Sequence, residues 1–204
     1  MQTVQWNHEK DPAGQISGLC DMARELGYLV VEFDGGGGGP DLPWSDLEPW
    51  TRSRAVTVAD IRVDLASPAL DVALCADLVY LRPGVTLTMA TSPNPPPPGI
   101  IWALGRAGRA ALSRGLLDRS PVSGIDAVDL GIVQGIVADG APLPLPSNPS
   151  IASLTAARDL MRASVSGPPG LGLELASFRL LFAAGEPAEG ARAFLEKREP
   201  VFDG

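Results

Sequence analysis

The clearest concentration of groups that could do chemistry in this 204-residue sequence is a run of five glycines at positions 35–39. Backbone N–H groups in such a run could cradle a phosphate or a thioester. The run lacks the Lys-Ser/Thr ending of a Walker loop, so a flexible loop is the alternative. The single histidine, His8, lies near the N-terminus, where we expect it to be solvated. No spacing of His, Cys, Asp or Glu indicates a metal site.

The composition excludes several classes of function. The net charge of −8 argues against proteins that bind nucleic acid or anionic membranes through clustered Lys and Arg. No apolar run is long enough to cross a membrane, and the N-terminus has no signal-peptide pattern. The two cysteines, Cys20 and Cys75, then indicate reduced thiols and not a disulfide framework. We therefore expect a cytoplasmic protein with neither a nucleic-acid nor a membrane partner.

The pattern of apolar residues predicts an α/β fold. Strands are predicted at residues 28–33, 56–63, 77–82, 86–89 and 132–137, and the helices between them at residues 15–26, 70–76, 99–109 and 123–130. After a proline-rich connector at residues 142–149, only helices are predicted, at residues 151–164, 173–184 and 187–197. Strands with interposed helices followed by helices alone predict an α/β core at residues 1–140 and a helical region at residues 141–204.

Three segments of the sequence carry a resemblance to a known family. Residues 70–77 read LDVALCAD, residues 127–133 read AVDLGIV, and the closing residues 189–202 read EGARAFLEKREPVF. With these segments the chain resembles the enoyl-CoA hydratase/isomerase (crotonase) superfamily over about residues 15–202, as a short, divergent member. The resemblance implies a spiral of ββα turns, truncated at the N-terminus, and a helical C-terminal region that forms trimers.

The resemblance also implies a site for acyl thioesters, in which two backbone N–H groups hold the thioester oxygen and carboxylates move protons. The first donor falls on Pro40, which has no N–H, or on Gly39 if the register shifts by one residue. The second falls in Ser67-Pro68-Ala69, where Ser67 or Ala69 could serve only if the turn is rebuilt. Asp71 takes the position of the first catalytic carboxylate, with a capping or solvated Asp as the alternative. The second carboxylate position maps near Met89, which cannot transfer protons.

In the closing segment, Phe194 and Lys197 match positions where the closing helix in the family meets the coenzyme A of a neighbouring subunit; an ordinary core Phe and a solvated Lys are the alternative. Coenzyme A would enter as part of the substrate, and no separate cofactor is expected.

Two functions follow from the resemblance. One is an enzyme of hydratase, isomerase or decarboxylase type in bacterial secondary metabolism, acting on a CoA- or carrier-bound thioester. It would form a homo-oligomer (trimer or hexamer) or a hetero-oligomer with a related enzyme. The other is a catalytically degenerate accessory subunit that supports a partner enzyme such as a polyketide synthase. The small crotonase-like proteins of dihydroxyphenylglycine biosynthesis are similar in this respect.

Overall fold

The computed structural model describes residues 1–24, 26–35, 41–89, 97–113, 120–146, 150–165, 179–180, 182–183 and 185–201. The chain divides into two compact units, Met1–Leu143 and Pro144–Gly204, here called the α/β unit and the helical unit. Within the described residues, none of the helices is both long and apolar enough to span a membrane. Gly39 and Pro40, the predicted first donor positions, lie outside the described residues.

The main sheet of the α/β unit has five parallel strands in the order β1-β2-β3-β5-β8. Their bounds are β1 Gln2–Gln5, β2 Tyr28–Phe33, β3 Val56–Ile61, β5 Leu78–Leu81 and β8 Gly135–Ile136. Val31 of β2 lies beside Ala59 of β3, which lies beside Val79 of β5. The central strands are apolar along almost their whole length because a parallel sheet is covered on both faces. The predicted strands at residues 28–33, 56–63 and 77–82 are confirmed.

A second, three-stranded sheet consists of β4 (Leu65–Ala66), β6 (Thr86–Thr88) and β7 (Val122–Ser123). β4 pairs with β6 in parallel, and β6 pairs with β7 antiparallel. β4 matters for the site, because the chain leaves it directly into the Ser67-Pro68 turn and the helix that carries Asp71.

The described part of the α/β unit contains six helices: α1 Pro12–Met22, α2 Trp44–Thr51, α3 Ala69–Leu74, α4 Pro98–Ala107, α5 Arg109–Ser113 and α6 Gly124–Asp129. The prediction of a first helix at residues 15–26 is corrected at both ends. α1 begins earlier because the Asp11 carboxylate accepts from the Gly14 N–H at 2.8 Å and Pro12 suits the first helical position. It ends at Met22. The Ser123 hydroxyl caps α6 by accepting from the Asp126 N–H at 3.2 Å.

The core of the α/β unit lies between the main sheet and its helices. Its largest fully buried side chains are Ile16, Leu29, Phe33, Leu47, Trp50, Ile61, Leu65, Leu70, Leu74, Leu81, Leu87 and Ile100. Every residue of α3 is buried. A carboxylate on this helix is therefore removed from water, and its chemistry is set by the few groups around it.

A buried ion pair fixes the segment that follows the sheet. Arg82, directly after β5, donates to both carboxylate oxygens of Asp60 at 2.8 Å. Its remaining nitrogen donates to the carbonyls of Ala138 at 2.7 Å and Ala141 at 3.0 Å. Arg62 also donates to Asp60, at 3.0 Å. This bidentate pair thus ties the end of the sheet to residues 138–141.

The helical unit contains α7 (Ile151–Val165) and, in our numbering, α8 (Glu186–Glu196). The Ser150 hydroxyl caps α7 by accepting from the Ser153 N–H at 3.0 Å. The buried Glu186 carboxylate accepts from both serine hydroxyls, at 2.9 Å from Ser153. The predicted helices at residues 151–164 and 187–197 are confirmed, whereas most of the predicted helix at residues 173–184 lies outside the described residues.

Candidate active site

Three helices of the α/β unit meet around Asp71, which is the third residue of α3. The indole N–H of Trp50, on α2, donates to the Val72 carbonyl of α3 at 3.0 Å in a buried position. The Trp44 ring, also on α2, contacts the Trp102 ring of α4, with centroids 5.4 Å apart and planes tilted by 43°. Asp71 itself joins α3 to α4. Each pair of helices is therefore held together by at least one specific contact.

One oxygen of the Asp71 carboxyl group closes the start of α4. Oδ1 accepts from the backbone N–H of Gly99 at 2.9 Å and from that of Ile100 at 3.2 Å. α4 needs this acceptor because Pro97, at the N-cap, has no side-chain acceptor for the first-turn amides. Asp71 is indeed a capping residue, but it caps a helix that begins 27 positions further along the chain and not its own.

The glycine at position 99 is required for this contact. A Cβ atom built there would lie 2.6 Å from the Asp71 carbonyl oxygen and 2.7 Å from the Asp71 Cβ. Such distances are far below van der Waals contact, so only glycine lets the two helices approach this closely.

The other carboxyl oxygen of Asp71, Oδ2, is shielded from solvent and has no hydrogen-bond partner in the part of the chain that the structure describes. Burial raises the pKa of Asp71 from its ordinary value of 3.8 to about 6, although the Ser67 hydroxyl and the amides of Ile100 and Gly99 lower it. The negative charge of Asp41 adds to the increase. A carboxyl group in this state can accept or donate a proton near neutral pH.

The predicted donor residues lie at the start of α3. Pro68 precedes the helix, is buried and offers no N–H, while Ser67 is half-buried. Ala69 is the first residue of α3, so its N–H belongs to the first turn, where the helix supplies no acceptor. Met89 is buried, with 3% of its surface exposed. The structure thus brings Ser67, Ala69 and Asp71 together at the start of α3.

An aromatic and cationic cluster on α4, the helix that Asp71 caps, was not predicted. Trp102 contacts Trp44, and the Arg106 guanidinium carbon lies 6.0 Å from the centroid of the Trp102 ring. The Trp102 Nε1–H is shielded from solvent and, within the described residues, has no hydrogen-bond partner. The spacing of Trp102 and Arg106, four positions apart on one helix, was visible in the sequence. The packing of this helix against Asp71 was not.

Phe194 and Lys197 lie at the end of α8 in the helical unit. Phe194 is 82% exposed, so the alternative of an ordinary core Phe is wrong. Lys197 is exposed and ends the helix in the left-handed conformation, with φ 52°. The Glu189 carboxylate holds the segment beyond it by accepting from Arg198 at 2.6 Å and from the Val201 N–H at 2.9 Å. These contacts hold the pKa of Glu189 well below its usual range.

No protein-family model matches the chain. YhaR of Bacillus subtilis (strain 168), named as an enoyl-CoA hydratase/isomerase, is 30% identical over 162 residues, which cover 73% of this chain. The match spans only 63% of the length of that relative.

Solved structures are similar over nearly the whole chain. DspI of Pseudomonas aeruginosa has a TM-score of 0.74 at 22% identity, covering 97% of this chain and 91% of its own. An enoyl-CoA hydratase from Polaromonas sp. JS666 has a TM-score of 0.76 at 20% identity, covering 98% and 95%. These likenesses confirm the fold predicted from the sequence.

Proposed function

Since this chain has the fold of the enoyl-CoA hydratase/isomerase (crotonase) superfamily, we propose that it acts on an acyl thioester borne by coenzyme A or a carrier protein. Asp71 is the acid/base. The proposal is carried by one observation: among the described residues the buried Oδ2 of Asp71 has no hydrogen-bond partner, while Oδ1 is fixed by two backbone amides. A carboxyl group held by one oxygen can present the other to a substrate without losing its position.

In dehydration and isomerisation, Oδ2 accepts the proton from the carbon next to the thioester; the electron pair of the broken C–H bond forms a carbon–carbon double bond, and the carbonyl π pair moves onto oxygen. In hydration, Asp71 takes a proton from the adding water and passes it to that carbon. In decarboxylation, loss of CO2 forms the same enolate-like state, and protonated Asp71 supplies the proton. Hydrogen-bond donors near the developing charge are needed, and we propose the first-turn amide of Ala69, the Ser67 hydroxyl and the amide of Gly39 for this role. Asp71 is one methylene shorter than Glu, so the substrate must approach α3 more closely.

In this proposal the helical unit contacts the coenzyme A bound by a neighbouring subunit of the oligomer. Phe194 and Lys197 are both exposed, so the ring is available to an adenine base and the ammonium group to a phosphate. Leu195 and Val201 are also exposed, at 79% and 65%. An apolar surface of this kind supports assembly, which we propose is a homo-oligomer (trimer or hexamer) or a hetero-oligomer with a related enzyme. The departures from the family pattern support a specialised role, such as bacterial secondary metabolism.

Ligand-dependent stability tests the thioester site. We expect coenzyme A or one of a panel of short and aromatic acyl-CoAs to raise the thermal unfolding midpoint. Saturation at about 100 times the dissociation constant adds roughly 2.7 kcal/mol, a shift of several degrees. Lys197→Gln should weaken the shift, and Asp71→Asn should preserve it while abolishing turnover. If no free or carrier-bound thioester raises the midpoint, the proposal is wrong.

A second function, an accessory subunit without catalysis, is favoured by Pro68 and Met89. The first removes a backbone donor and the second replaces a carboxylate at positions where the family's chemistry needs them. If this alternative holds, the wild-type protein and Asp71→Asn would raise the turnover of a partner enzyme equally. A stimulation that Asp71→Asn loses would instead support catalysis by this chain.

A further inference from the structure

Two buried polar side-chain atoms, one on the residue that caps α4 and one on α4 itself, have complementary chemistry and no hydrogen-bond partner among the described residues. Three side-chain atoms in the described residues are buried without a hydrogen bond: Ser53 Oγ, Asp71 Oδ2 and Trp102 Nε1. Native proteins leave few such atoms, and those they leave are often functional. Asp71 and Trp102 are both linked to α4, because the Asp71 carboxylate caps this helix and Trp102 is part of it. One atom is a proton acceptor when ionised, and the other is purely a donor.

The geometry of α4 places Trp102 on the side of that helix that faces α3. Gly99 lies directly against Asp71, and the Arg106 guanidinium donates to the Ala76 carbonyl, just after α3, at 3.4 Å. Trp102 is three positions after Gly99 and four before Arg106, so it lies on the flank that these two residues share. Side chains on a helix lean towards its N-terminus, which here is the end that Asp71 caps.

The surroundings of Trp102 make its N–H a strong donor. The Arg106 guanidinium carbon lies 6.0 Å from the centre of the indole ring, so its positive charge stabilises negative charge that develops near the ring. Trp44 contacts the ring at 5.4 Å and restricts its orientation. Because Nε1 is shielded from solvent, a hydrogen bond that its N–H donates forms without competition from water.

We infer that the indole N–H of Trp102 donates a hydrogen bond to the thioester carbonyl oxygen of the substrate. In this role it replaces the backbone donor that Pro68, which has no N–H, cannot supply. This inference rests on the proposed function. In the step, Asp71 Oδ2 takes the α-proton, the C–H electron pair forms the carbon–carbon double bond, and the carbonyl π pair moves onto oxygen. The indole keeps its proton and holds the oxygen. Return of the proton from Asp71 to carbon completes the step without an oxidant or reductant.

Trp102→Phe tests this role, because it keeps an aromatic ring and removes only the N–H side of the indole. Trp6→Phe is the matched control, since it makes the same change in a buried indole that contacts Phe33 and lies outside the site. We expect Trp102→Phe to lower kcat for exchange of the α-hydrogens of an acyl-CoA with D2O by about 10²–10³-fold, the loss typical of one oxyanion donor. KM should change little, and Trp6→Phe should retain most of the wild-type kcat. A wild-type kcat in Trp102→Phe would overturn the inference.

A direct readout separates this inference from the proposed function. Acetoacetyl-CoA, whose enolised carbonyl resembles the intermediate, is added to 15N-labelled wild-type protein. The Trp102 indole N–H signal, identified by its loss in Trp102→Phe, should move downfield while the other indole signals move less. Binding of acetoacetyl-CoA that leaves the Trp102 signal in place would overturn the inference and leave the proposed function standing. Absence of both binding and exchange would overturn the proposed function, and the inference with it.

Discussion

Replacing Asp71 by Asn should increase the free energy of unfolding relative to wild type, and this increase should be larger at neutral pH than at acid pH. Burial raises the pKa of Asp71 from 3.8 to about 6, a difference of 6 − 3.8 = 2.2. Each pKa unit corresponds to 1.36 kcal/mol, so ionising this carboxyl group costs the folded state about 3 kcal/mol. Asn never ionises, yet its amide oxygen can still accept from the Gly99 and Ile100 amides.

The direction follows from proton linkage. Between about pH 4 and pH 6 the folded protein binds more protons at Asp71 than the unfolded chain does. As the pH rises through that window, the wild-type free energy of unfolding therefore falls relative to that of Asp71→Asn. Above about pH 6, nearly the whole cost of ionising the buried carboxyl group is present. Because roughly 0.6 kcal/mol of this cost is already present at pH 4, the stability of Asp71→Asn minus that of wild type should increase by about 2.4 kcal/mol between pH 4 and pH 7.5.

Urea denaturation of both proteins at intervals between pH 4 and pH 7.5 measures this difference directly. Asp129→Asn, which removes an exposed carboxylate at the end of α6, controls for the loss of one negative charge. A difference between Asp71→Asn and wild type that stays constant with pH, or that shrinks as the pH rises, would refute the account of Asp71 as a buried carboxyl group with a raised pKa.

Three further predictions concern the packing of the α/β unit, and two of them include a control substitution. Gly99→Ala should destabilise by about 1–3 kcal/mol through overpacking, whereas Gly105→Ala on the same helix, with nothing within 4 Å, should stabilise by about 0.5–1 kcal/mol in urea denaturation. Arg82→Met should cost about 3–5 kcal/mol, because it breaks a buried ion pair, whereas Arg52→Met at a surface pair should cost under about 1 kcal/mol. Trp50→Phe should cost about 1–3 kcal/mol by leaving a buried carbonyl unpaired, measured as a lower thermal midpoint.

Much of the fold could be predicted because the central strands are continuous apolar runs. β2 and β3 are buried along nearly all of their length, so their burial can be read from residue type alone. β1, with the sequence QTVQ, contains a single apolar residue and is mostly exposed. It is a strand because it pairs with β2, a non-local partner that residue type does not indicate.

The candidate site was only partly predictable for the same reason. Asp71 could be predicted as a site residue because it lies in residues 70–77, one of the three segments that carry the resemblance to the family. Its cap on α4 depends on two amides 28 and 29 positions away, and the contact between Trp44 and Trp102 spans 58 positions. Whether a carboxylate oxygen is paired, and which flank of a helix faces it, depends on how the helices pack. Local sequence carries no signal for either.

The most direct test of the central claim is the exchange of the α-hydrogens of an acyl-CoA with D2O, followed by NMR for the wild-type protein and for Asp71→Asn. Proton abstraction by Asp71 predicts exchange by the wild type and a loss of at least about 10²-fold in the Asn variant, while the acyl-CoA still binds both proteins. Exchange at the wild-type rate by Asp71→Asn would contradict the assignment of Asp71 as the acid/base.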